Sequence, residues 1–185
     1  MPEGEANSHV NLAHDFLSLG EFERAWDHLQ QADRIYQQDV WYRWRYNLRL
    51  QSEMARHAIL CGDLPRGTSH AENCLSNALR TQAPKYVAWS HKLLGDIATM
   101  EDRVEDAERE FEIALATVSQ YRCPTIEWKI LAAAADLSGR RKDSARRDEL
   151  MGRARNVIKS LADSVHEDRL RRLFVGSEVI RSLNN

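Results

Sequence analysis

The chain predicts an all-α fold: an α-solenoid of four helix hairpins, wound as a right-handed superhelix and closed by a C-terminal capping helix. Three observations point there. Apolar and small residues recur at spacings of three and four, which aligns them on one face of a helix. Proline and glycine total only 12 of 185 residues, and no run alternates with the period of two that a half-buried strand needs. A pattern of small residues twelve and then seven apart occurs four times, as Ala13-Ala25-Ala32, Ala55-Gly67-Cys74, Gly95-Ala107-Ala114 and Ala133-Ala145-Gly152. Ala, Gly and Cys make up 32 of 185 residues, so small residues at every such position mark a repeated unit. Side chains this small let helix backbones cross closely.

Each element has its own signals. Residues 1–5 are short, acidic and without periodicity, and are expected to be disordered. Residues 6–185 form a single domain. The first unit, about 6–39, holds helices over 6–19 and 22–38, with Gly20 as a left-handed helix stop. The second, about 40–83, begins near Val40 because Trp41 to Tyr46 continue the periodicity of Leu48, Met54 and Ala58. In that register Trp41 and Trp44 fall on the buried stripe. Gly62 ends its first helix, and Pro65 suits the first turn of the next, where its missing N–H costs nothing. Pro84 opens the third unit, about 84–122, with helices over 84–100 and 103–121. There Asp102 and Glu105 read as a capping box, ahead of Val104, Ala107, Phe111 and Ala114 on one face. Pro124 opens the fourth unit, about 123–163, with helices over 124–138 and 142–163. In the tail, 164–185, Ser164 to Glu167 read as a cap signal for a helix whose Leu170, Leu173 and Phe174 face the last repeat. A solenoid must cover its final open core, and this tail is the expected cover.

Two units carry a family likeness. Leu94-Gly95, Val104, Ala107, Phe111 and Ala114 in the third, and Leu12-Ala13, Phe16, Gly20-Glu21-Phe22, Ala25, Leu29 and Ala32 in the first, resemble the tetratricopeptide repeat. That family's unit is a helix-turn-helix of about 34 residues. The likeness covers roughly residues 6–163. The units here recur after 42, 40 and 38 residues, and the fourth departs, with Asp136, Lys142 and Glu149 at positions where apolar residues belong. The resemblance implies a protein-interaction module whose concave surface is lined by the first helix of each pair. By register it places Asn7, Val10, His14 and Leu17 in the groove from the first unit. Tyr42, Arg45, Arg49, Ser52, Arg56 and Ile59 follow from the second, Trp89, Lys92, Asp96 and Thr99 from the third, and Glu127, Ile130 and Ala134 from the fourth. The tail from Ser160 to Phe174 is also similar to tails that end the helical-repeat regions of large bacterial signalling ATPases, which implies part of a bacterial regulator.

Arg45, Arg49 and Arg56 are four and seven apart on one helix stripe. Like charges so placed repel by a few tenths of a kcal/mol per pair, about 0.2–0.5, and an anion would relieve them. One expectation is that these arginines and Lys92 hold an acidic peptide or a chain-terminal carboxylate through charge-assisted bonds, flanked by Tyr42 and Trp89. The other is a solvated basic face paired with Asp96, Glu53 or Asp15. A homo-oligomeric scaffold, such as a homodimer built through the first unit, is the alternative function. RNA binding ranks below it: residues 140–172 hold eleven Arg or Lys against six acids, but without the interleaved aromatic residues that stack on bases.

Other classes find little support. The net charge is −2 and the pI about 6.4, so no overall field draws nucleic acid or anionic membrane. No apolar run is long enough to span a bilayer. Three cysteines without a CxxC pair read as reduced thiols of a cytoplasmic protein, with Cys61 and Cys74 as small buried residues. No His pairs with Cys or Glu at metal-ligand spacing, no glycine loop ends in the Lys-Ser/Thr of a phosphate cradle, and no catalytic triad is recognisable. No metal, no cofactor and no catalysis are therefore expected.

Overall fold

The computed structural model describes residues 2–37, 43–177, 180–181 and 183, without the side chains of 43 and 44. Val40, Trp41, Tyr42 and the side chain of Trp44 thus lie outside the described residues. Within those residues every element is a helix. Four hairpins follow one another: α1 (Pro2–Ser18) with α2 (Phe22–Tyr36), α3 (Arg43–Leu60) with α4 (Leu64–Arg80), α5 (Pro84–Met100) with α6 (Val104–Tyr121), and α7 (Pro124–Arg140) with α8 (Ser144–Asp163). The short α9 (Asp168–Val175) ends the array. The first helices pack in sequence, α1 on α3, α3 on α5 and α5 on α7, whereas the backbones of the second helices stand apart, α2 and α4 meeting only through long side chains such as Arg66 over the Trp26 ring at 3.9 Å. The first helices therefore form a continuous inner layer, and the outer layer is splayed. Such an arrangement is an α-solenoid with its concave face on α1, α3, α5 and α7.

Every hairpin turns in the same way. The second residue after each first helix has positive φ: Gly20 and Gly62, then Asp102 and Lys142. The amide of the next residue reaches the carbonyl five back, Glu21 to Phe16, Asp63 to Ala58, Arg103 to Ala98 and Asp143 to Ser138. This Schellman closure satisfies end carbonyls and reverses the chain. Asp102 therefore occupies the left-handed stop of α5. The capping box expected there does not form, and α6 starts on Arg103 without a side-chain cap. Asp63 and Asp143 do cap α4 and α8, accepting from Arg66 and Arg146.

The small residues pack as their spacing implies. Ala13, Ala25, Ala32, Ala55, Cys74, Ala107 and Ala114 are fully buried. A Cβ on Gly95 would lie 2.5 Å from the Phe111 ring. Unit four corrects the register by two residues. Its helices start 40 residues after those of unit three, at Pro124 and Ser144. The counterpart of Gly95 is thus Ala135, which is fully buried, in place of Ala133. Likewise Ala154 is the buried counterpart of Ala114, while Ala145 is exposed and a Cβ on Gly152 meets nothing within 4 Å. Four successive alanines, Ala132 to Ala135, made the small-residue pattern blind to this slip.

A second repeat runs along the seam inside each hairpin. His9 bonds His28 at 2.8 Å, His70 bonds Gln51 at 2.7 Å, and His91 bonds Glu110 at 2.7 Å. These pairs occupy one position of the unit, each partner 19 residues from the other. In unit four the same position holds Leu131 and Leu150, both buried. Burial and the neighbouring His9 hold His28 below the usual imidazole range.

The two ends also differ from expectation. Residues 2–5, expected to be disordered, are the first turn of α1. Pro2 starts the helix where a proline ring fits, Glu3 and Glu5 favour its positive end, and buried Ala6 anchors it. At the other end, Ser164 terminates α8 and Glu167 precedes α9 without a side-chain cap bond. The helix α9 buries none of its residues; Leu170 and Leu173 are exposed. Phe174 does face the last repeat as expected, half-buried and joined there by Ile180 and Leu183 from beyond α9. Cys61 is exposed at its turn, and only Cys74 is the buried cysteine, its thiol pushed up to about 11 by burial.

Candidate functional site: the concave groove

Repeat geometry sends one residue per unit into the groove at each level. Asn7, Arg49, Trp89 and Lys129 form one rung at intervals of 42, 40 and 40 residues, and Ser52, Lys92 and Ala132 form the next, whose first-unit counterpart, Val10, is buried in the core. Two adjoining clefts open between them. One, of about 370 Å³, is lined by His14, Arg49, Glu53, Lys85, Tyr86, Trp89 and Lys129 among others. The other, of about 460 Å³, is lined by Ser18, Arg56, Lys92, Trp128, Ala132 and Ala133 and closed by the tail residues Phe174, Ile180 and Leu183. His14, Trp89 and Lys129 belong to both.

The charges divide into two sets. Two acids are already engaged. Glu53, buried on α3, bonds His14 at 2.9 Å and Arg56 at 3.4 Å. Burial pushes its carboxyl up, but the bond and charge of His14, with those of Arg56, outweigh it and hold Glu53 below the usual range. Asp96 bonds Lys92 at 2.5 Å; burial pushes its carboxyl up, and Lys92 offsets this only in part. Arg49 donates to Asn7 and Arg56 to Ser18, both at 3.1 Å, so neutral oxygens take part of the arginine bonding.

Lys129 stands apart. Its ammonium lies 5.5 Å from the Trp89 ring centre and 5.4 Å from that of Trp128. Lys92 lies 5.4 Å from the same Trp89 ring. Burial is the main cause that holds Lys129 below the usual lysine range, and Arg56, Lys92 and Lys85 add to it, against the opposing pull of Glu53. Aromatic faces recover some of the lost hydration of a cation. What the centre of the groove offers is a cluster of cations on an aromatic floor, able to bind an anion with an apolar neighbour.

The structure brings Asn7, His14, Arg49, Ser52, Arg56, Trp89 and Lys92 together around these clefts, with Asp96 tied to Lys92. Ser52 is buried, its hydroxyl donating to the Arg49 carbonyl. Arg45 departs from the row: it is exposed and lines a separate cleft with Leu48, Thr81 and Tyr121. It shares their stripe but sits in the first turn of α3, about one and three turns away along the helix from Arg49 and Arg56, where different neighbours surround it. Val10, Leu17 and Ile130 are core rather than groove, and Ala134 is buried too. Sequence spacing missed Lys129 and Lys85; Glu53 it gave only as a partner of a solvated arginine face, whereas the structure buries it beside Arg56. For Lys129 the signal existed: a step of 40 from Trp89 lands on it, and the step of 38 landed on Glu127.

Among the described residues, no three or more His, Cys, Asp or Glu side chains gather as a metal site, and no helix is long and apolar enough to cross a membrane. No protein-family model matches the sequence, and no curated protein is similar to it. Solved structures do match. The crystal structure of aspartyl phosphate phosphatase F from Bacillus subtilis aligns with a TM-score of 0.72 at 16% identity, over 99% of this chain and 49% of that one. The apo form of RapI aligns with a TM-score of 0.69 at 13% identity, over 98% of this chain and 66% of that one. The chain thus spans about half the length of the first and just under two thirds of the second. At such identities the likeness establishes the fold, a helical-repeat array.

Proposed function

We propose that the chain is a non-catalytic protein-interaction module whose concave groove takes an acidic peptide or the carboxylate end of a partner chain. One observation carries this reading: Lys129, held half-buried among Arg56, Lys92 and Lys85 over two indole rings. A fold with no use for a buried cation would replace it with an apolar side chain, since burying charge is unfavourable. An anion seated beside Lys129 and Lys85 reverses that penalty, because the groove excludes part of the water that would screen the pair. Trp89, Trp128 and Tyr86 supply apolar contact for the residue next to the acid. The groups that face the groove are binding groups, and the neighbours' resemblance in fold to repeat proteins supports an interaction role. A cytoplasmic setting and a place within a bacterial regulator belong to the same proposal, the first supported by three unpaired thiols and the second by the tail's likeness.

The test is a titration of labelled acidic peptides, with free and with amidated C-termini, against the wild type and Lys129→Met. Loss of one charge-assisted bond weakens binding by about 1.5–3 kcal/mol, roughly ten- to a hundredfold. Equal binding of both proteins, or no binding of any acidic peptide, counts against the groove. A preference for the free over the amidated terminus identifies the terminal carboxylate as the ligand.

A further inference from the structure

The repeat register exposes what the first unit lacks. In units two to four, the face turned toward the preceding unit carries Leu50, Ser90 and Ile130 at one level, all fully buried, and His57, Ile97 and Leu137 at another, all buried. Between them lie Met54, Leu94 and Ala134. The counterparts in unit one are Ser8, Leu12 and Asp15. All three are exposed, Leu12 at 42% and the nearby Leu19 at 70%. This end of the array is thus an acidic face with two leucines. Residues 1–37 carry seven acids against two arginines.

The opposite end has the complementary chemistry. Residues 140–172 carry eleven Arg or Lys against six acids. On α9, Leu170 and Leu173 are 51% and 61% exposed, with Arg169 and Arg172 exposed between and beside them. The excess is five negative charges at one end and five positive at the other, on a chain of net −2. Opposite charge at the two ends disfavours like ends meeting and favours unlike ends. Leucines on both faces would be removed from water on contact.

We propose that copies of this chain stack head to tail, the α8–α9 end of one on the open α1–α2 face of the next, with Arg169 and Arg172 against Glu5 and Asp15. The contact is heterologous: it joins different patches, leaves a free end on each side, and extends in one direction unless the rotation closes a ring. Acid-to-base pairing at this exposed rim makes assembly sensitive to salt. The proposal does not depend on the groove, which faces a different side of the helices.

Sedimentation velocity on the full chain tests it. At about 50 mM NaCl the wild type should rise from its 21.3 kDa monomer mass as concentration increases, and at about 0.5 M NaCl return to it, because the Debye length shrinks severalfold. Two charge-reversed proteins, Glu5→Arg with Asp15→Arg and Arg169→Glu with Arg172→Glu, should each remain monomeric alone. Mixed in equal amounts they should associate again, since a basic head now meets an acidic tail. All four positions are on the surface, and helical circular dichroism verifies that each protein is folded. A wild type at monomer mass throughout the low-salt range overturns the proposal. So does association that survives both reversals, or a mixture that fails to associate while both proteins are helical.

Discussion

The hairpin seams and the concave groove use the same repeat in opposite ways. In the seams each polar side chain meets a partner from the facing helix, as in His70 with Gln51 and His91 with Glu110. Where partners are absent in unit four, the seam turns apolar, with Leu131 on Leu150. The groove holds Lys129 among further cations and leaves it an aromatic floor in place of a carboxylate. Buried polar groups paired in this way cost little, whereas an uncompensated cation lowers stability. A seam is therefore built for folding, and the groove retains a feature that folding alone would remove.

The comparison breaks most sharply at the apolar seam. Leu131→Ala should cost about 2–5 kcal/mol in urea unfolding, while His91→Ala, which removes a polar partner beside a half-buried carboxylate, should cost about 1–3 kcal/mol. Equal costs would mean that the two kinds of seam are energetically the same. Glu53→Gln should follow at about 1.5–3 kcal/mol, since it removes the charge that His14 and Arg56 both bond. The folded-state carboxyl of Glu53 lies below its unfolded value of 4.5. Its contribution is therefore complete above that value and disappears as pH falls through the folded value. Thermal melts should show wild type and Glu53→Gln converging in acid and separated at neutral pH. A gap that widens in acid would reverse the assignment.

Gly95→Ala tests the close crossing of α5 and α6. Its Cβ would sit 2.5 Å from the Phe111 ring, so destabilisation of about 1–3 kcal/mol is expected. Gly152→Ala, where a Cβ meets nothing within 4 Å, should instead be neutral or stabilising through its helix propensity, by up to about 1 kcal/mol. The smallest effect belongs to the turn at Lys142, whose φ of 62° an L side chain adopts at a cost of about 1–2 kcal/mol. Lys142→Gly should therefore raise the midpoint, net of added chain entropy, by less than about 1 kcal/mol. A lower midpoint would remove strain at that turn from the account.

The helices and their order were legible because periodicity, prolines and left-handed stops all agree. Within the described residues all nine helices begin or end within two residues of a Pro, Gly or Asp, although the sequence reading starts the first helix at residue 6 and leaves Pro2 unused. The groove was legible only in part. Arg49, Arg56, Trp89 and Lys92 follow from register, whereas Lys129 required the correct period in unit four, which Ala132 to Ala135 concealed. Glu53 was legible as an arginine's partner but not as a buried group. Its burial depends on His14 arriving from α1, a contact across 39 residues that no local pattern contains. Arg45 fails in the opposite sense, since a stripe of like charges on one helix says nothing of where the neighbouring helix ends.

Lys129 separates the two uses of the fold in a single variant. Its depressed ammonium destabilises the folded chain while protonated, and the penalty lifts as pH rises through its folded value toward the unfolded 10.5. Lys129→Met should therefore melt at the same temperature as the wild type or higher at neutral pH. The decisive measurement takes melting temperature and acidic-peptide affinity on the same two samples. A variant that is as stable or more stable and binds ten- to a hundredfold more weakly, about 1.4–2.7 kcal/mol, is the predicted result. A variant that binds as the wild type does, or that loses stability, would contradict the account.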